Sequence, residues 1–152
     1  MGMTINIDSA LKSIDMMCVV VDNTVVQTLC EVGEYVVGQI RNGNMSNWTD
    51  DTGNLRSSIG YAVAKDGGIV MESSFQTVSG GNEGSEQGRK LAGSIAGGYP
   101  SGYVLVIVAG MEYAVYVEAM SNKVVLSHGW LYLRKNIADI LKDRIERALK
   151  AI

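Results

Sequence analysis

His128 is the one histidine in the chain, so chemistry that needs an imidazole base or ligand must pass through it. It stands between a short apolar stretch and the last helical pattern, where it reads as a turn or capping residue. No G-x-S-x-G elbow supplies a nucleophile for it. Cys18 and Cys30 fall on one helical stripe, about 18 Å apart along its axis. That is too far for a disulfide, and both read as buried apolar thiols. No C-x-x-C or H-x-x-x-H spacing offers a zinc site, and neither metal nor cofactor is expected. Gly84-Ser85-Glu86-Gln87-Gly88-Arg89-Lys90-Leu91 has the letters of a phosphate loop but lacks the hydroxyl that should follow the lysine. Glu112 and Glu118 would lie about 20 Å apart on one face of a strand, or diverge on a helix, and neither geometry suits paired acid–base work. Arg89 and Lys90 could touch a phosphate backbone, but they have no aromatic platform beside them. The chain is therefore not expected to be an enzyme. The alternatives are a small enzyme using His128 with a carboxylate, or a peptide or nucleic-acid binding module acting through the glycine-rich stretch that contains Arg89 and Lys90.

The elements that would position these residues belong to one α+β domain spanning 1–152. Apolar residues make up 47% and charged residues 19%, a composition that can bury a core. The net charge of −3 lacks the basic excess that phosphate neutralisation requires. The start carries no basic segment followed by an apolar one, and Met16 to Val21 is too short to span a bilayer. The expectation is a soluble cytoplasmic chain with no membrane partner.

Residues 9–41 predict a long helix. Leu11, Ile14, Cys18, Val21, Val25, Leu29, Val32, Val36 and Ile40 recur at steps of three or four. Asp8 or Ser9 would cap it and Asn42-Gly43 would stop it, while Gly33 and Gly38 invite a bend or break. Val19, Val20, Val26 and Val37 lie off the stripe. They leave two readings open: contact with another subunit, or a helix sandwiched within its own fold. Asn44, Ser46, Asn47, Asp50, Asp51 and Gly53 are turn formers. Alternation over 55–63 predicts a strand, Asp66-Gly67-Gly68 a hairpin, and 69–75 the return strand. Eight glycines between 80 and 102 predict a long mobile loop over about 77–102. Tyr103 to Ala109 reads as a central strand, Met111 to Met120 as strand or short helix, and Lys123 to Ser127 as a last strand. Leu131 to Ile152 predicts a second amphipathic helix, with Leu133, Ile137, Leu141 and Ile145 on one side and Asp143–Arg147 as an i,i+4 pair.

Thr52-Gly53-Asn54-Leu55-Arg56-Ser57-Ser58-Ile59 follows the first helix, and Tyr113-Ala114-Val115-Tyr116-Val117-Glu118 precedes the last. This order resembles the head–tail joining or tail-completion family of long-tailed bacteriophages and prophages. Its members carry T-G-x-L-x-x-S-I after the first helix and Y-A-x-x-V-E late in the chain. Thr52, Gly53, Leu55, Arg56, Ser58 and Ile59 match the first motif; Tyr113, Ala114, Val117 and Glu118 match the second. After the glutamate the chain departs, with Ala119-Met120-Ser121 where the family often has an aromatic-Gly-Thr turn. The resemblance implies a structural virion protein of the neck or tail, assembled in the host cytoplasm. Its partners would be copies of itself in a ring, six-fold in the family, and neighbouring connector or tail proteins, with DNA only as passing cargo. Two helices on a four-stranded, mainly antiparallel sheet are expected. Trp48, Arg89, Lys90, Tyr113, Tyr116 and Glu118 are the interface candidates, with Tyr113, Tyr116 and Glu118 as readily placed as residues that hold the fold together. Deleting 80–98 should then leave a folded monomer that cannot assemble.

Overall fold

The computed structural model describes residues 1–50, 52–120 and 123–152. Asp51, among the turn formers, and Ser121, in the departure from the second motif, lie outside the described residues. The elements run α1 (Asp8–Arg41), α2 (Asn54–Ser57), β1 (Ile59–Lys65), β2 (Gly68–Glu72), α3 (Asn82–Gly97), β3 (Tyr103–Ala109), α4 (Ala114–Ala119) and α5 (Ser127–Lys150).

The three strands form an antiparallel sheet in the order β2-β1-β3. Alternation on β1 sends Ile59, Tyr61 and Val63 to one face and Ala62 and Ala64 to the other. The first face packs on Val25, Leu29, Val32, Val36 and Ile40 of α1, with α5 laid alongside. The second face is covered by Ala92 and Ala96 of α3 and by Phe75. The sheet therefore has a helical layer on each side.

Several expectations need correction. The segment 77–102 is not one loop, because α3 occupies Asn82–Gly97. Two of its glycines belong to a packing stripe. Gly84, Gly88, Ala92 and Ala96 recur every fourth residue and are all buried. A Cβ on Gly84 would lie 2.0 Å from the Asn54 carbonyl oxygen, and one on Gly88 2.4 Å from that of Ser58. Only glycine lets α3 come this close. Because α3 covers one face of the sheet, a protein lacking 80–98 would expose that face and is not expected to fold.

Residues 54–57 form α2 instead of opening the first strand. Asp50 accepts hydrogen bonds from Gly53 N (3.1 Å) and Arg56 N (3.1 Å), fixing a helical turn before β1 starts. Lys123 to Ser127 is not a strand, since Ser127 already begins α5, so among the described residues the sheet has three strands and not four. β3 consequently lies at an edge, and β1 is central. The return strand stops at Glu72, because Phe75 takes a left-handed φ of 47° and turns into the core over Gly60.

α1 runs unbroken through Gly33 and Gly38 for 34 residues, about 51 Å. Gly33 is where the Tyr61 ring rests against the helix: a Cβ there would meet the ring at 2.7 Å. Neither Asp8 nor Ser9 caps the start; Asn6 Oδ1 accepts from Asp8 N at 2.9 Å. The Asn42-Gly43 stop forms as expected, with Gly43 at φ 82°. Between the two readings of Met111 to Met120, the short helix α4 is the one found.

Candidate assembly surface

The first motif is internal scaffolding. Gly53 holds a left-handed φ of 78°, and a Cβ there would lie 2.3 Å from the Val78 carbonyl oxygen. Leu55, Ser57, Ser58 and Ile59 are buried. Ser58 Oγ donates to the Leu55 carbonyl (2.7 Å), and Ser57 Oγ accepts from Val78 N (2.9 Å). Arg56 stacks over Trp48, 5.3 Å from the ring centroid. Trp48 is half-buried, and its indole Nε1 has no hydrogen-bond partner among the described residues.

In the second motif, Ala114 reaches the core and Glu118 anchors the start of α5. Its Oε2 accepts from Val125 N (2.6 Å) and Leu126 N (2.7 Å), and Oε1 accepts from Ser127 Oγ. Burial works against its charge, but the hydrogen bonds from Ser127, Leu126 and Val125 outweigh it and hold the carboxyl below its ordinary range. Tyr113 and Tyr116 are exposed, Tyr116 at 71%.

Arg89 does not stand free in a loop. It donates to the Ser74 carbonyl (2.9 Å), pairs with Glu72 (3.6 Å) and lies over Phe75, tying α3 to the end of β2. Lys90 is exposed beside it. His128 is exposed in the first turn of α5, without a hydrogen bond or ion pair among the described residues. Among those residues, no group of three or more His, Cys, Asp or Glu side chains could hold a metal ion.

Residue order drew attention to the motifs, and Val115 and Tyr116 of the second are indeed bare, but a longer exposed apolar stretch lies at the N-terminal end of α1. Every residue from 1 to 19 is exposed. The first 12 residues of α1, about 18 Å of helix, project past the domain. Leu11, Ile14, Met16, Met17 and Val19 are bare on this projection, and Met1, Met3, Ile5 and Ile7 precede them. The apolar stripe of α1 is thus core only from Val25 onward. Cys18, expected to be buried, lies on the projection and is exposed; Cys30 is half-buried. By length and composition α1 could cross a membrane. Its C-terminal half is instead built into the core, and Asp22 pairs with Lys65 and binds the Tyr103 hydroxyl.

A second apolar feature sits on the far side of β3. A groove of about 270 Å3 runs between Ile95 of α3, with Tyr99 just beyond that helix, and Trp130 and Leu133 of α5, with Val104 to Ile107 as its floor. Four consecutive strand residues alternate between faces, so a groove lined by all of them opens on the strand's edge. Compared with models of protein families, with curated proteins and with solved structures, the chain matches none of them.

Proposed function

We propose that this protein is a structural component of a phage-like particle, forming a homo-oligomeric ring at the head–tail junction or the head-proximal end of the tail. The observation that carries the reading is the projection of α1: three turns of apolar helix with no cover from their own chain. Apolar surface of this extent is unfavourable in water and marks a place for a partner. The two motif segments support the same reading, since each supplies residues that hold the domain together at points where the family keeps a pattern. Repetition of one heterologous contact closes into a ring when the rotation permits. Net charge suits a channel that DNA passes without being held.

The test is genetic and then visual. The gene is deleted from the phage or induced prophage, and the lysate is examined by negative-stain electron microscopy. Separate filled heads and unattached tails, or tails with irregular ends, are expected. Normal intact particles would refute the role.

A further inference from the structure

The edge of β3 is open and unusually well suited to pairing. Gly110 N donates to Ser58 O, and Asp66 N donates to Gly102 O. In an antiparallel ladder this places Val104, Val106 and Val108 in hydrogen bonds with β1. The N–H and C=O groups of Tyr103, Leu105, Ile107 and Ala109 then face outward, and no backbone partner for them is found among the described residues. Proteins protect such edges with charges, prolines or bulges. Tyr-Val-Leu-Val-Ile-Val-Ala has none of these. β2 offers the other edge, but every residue on it is exposed. At β3 the groove supplies apolar walls on both faces.

The chain also carries an unpaired segment with strand periodicity. Met1, Met3, Ile5 and Ile7 alternate with Gly2, Thr4 and Asn6, and all are exposed. This segment cannot pair along its own edge. Asp22, bound to Tyr103 where β3 begins, is already about 21 Å along α1 from Asp8, and Val36 in the groove is about 42 Å away. Six extended residues span at most about 21 Å, so a folded-back arm is spent before it reaches Leu105.

We infer that residues 1–6 of one copy pair with the outward edge of β3 in the next, as a fourth strand. The bare turns of α1 follow the arm onto the apolar surface around Trp130. This deepens the ring reading and rests on it for the identity of the partner. A rigid helix sets donor and acceptor apart on each copy, so the contact is head-to-tail, the geometry that generates rings. A standard interface takes about 20–30 residues a side, and the uncovered stretch of 19 residues provides most of that.

The test uses full-length protein and two variants. Met3→Asp with Ile5→Asp alters only exposed residues of the arm. Leu105→Pro removes an outward N–H while sparing the bonds to β1. Wild type is expected to assemble, and the arm variant to keep its melting transition while its half-assembly concentration rises about a hundredfold or more. Mixing the two variants should give a dimer that cannot extend, because one retains the groove and the other the arm. Hydrogen exchange adds a readout that does not depend on the Leu105→Pro variant folding. On assembly of wild type, the Leu105 and Ile107 amides should become protected, whereas those of Val104 and Val106 are protected beforehand. If the arm variant assembles like wild type, or protection appears on β2 instead, the strand exchange is wrong and the ring reading stands. If wild type stays monomeric at every concentration, both fail.

Discussion

Glu118 accepts three hydrogen bonds across the turn into α5, and its replacement leaves two backbone N–H groups without a carboxylate acceptor. Glu118→Gln is expected to cost about 1–2 kcal/mol, read as a fall in melting temperature. The sign of its pH dependence follows from its lowered pKa. The contribution is complete above the ordinary value of 4.5 and is lost as pH falls through the folded value below it. The gap between wild type and variant should therefore be widest at neutral pH and close in acid. Glycines give a second pair of predictions. Gly88→Ala would drive a methyl to 2.4 Å from a backbone oxygen and should destabilise by more than about 2 kcal/mol. Gly38→Ala, with nothing within 4 Å, should instead stabilise α1 by about 0.5–1 kcal/mol. Thermal melts of the two variants would show opposite shifts. Sequence singled out Gly53 and Glu118 through a motif, and left Glu118 open between an interface and a place in holding the fold, without the geometry of either. A left-handed φ and a cap formed across eight residues are properties of the folded backbone.

At the scale of elements, the long helices were legible because apolar steps of three and four persist along them. α3 was missed because its buried face is made of glycine and alanine, which carry little hydrophobic signal. The four-residue step from Gly84 through Gly88 and Ala92 to Ala96 was the available clue. Removing 80–98 strips this layer from the sheet, and the product should lose its cooperative melt. The three-turn start of α1 behaves oppositely. Deleting residues 1–19 removes no buried side chain, so the cooperative transition should survive with little change in midpoint. A collapse of the transition would mean that the projection docks on its own domain. The extra strand expected at 123–127 arose from an apolar run that instead packs Val125 beneath the turn held by Glu118.

Taken whole, the molecule has a well-filled core on both faces of a small sheet and a large apolar extension outside it. Periodicity marked α1 as apolar from Leu11 to Ile40, but could not tell which part would find cover within the chain. That depends on where the sheet ends, and the sheet is set by non-local pairing. The candidate surface was therefore only partly readable: the overlong helix pointed to it, while Arg89 and Glu118 proved to have partners inside the domain. The most direct test of the assembly account is the mass of the purified full-length protein across concentration, by light scattering and native mass spectrometry. The account predicts a concentration-dependent passage from monomer to a closed ring of defined copy number. A single monomeric mass across the whole range would contradict it.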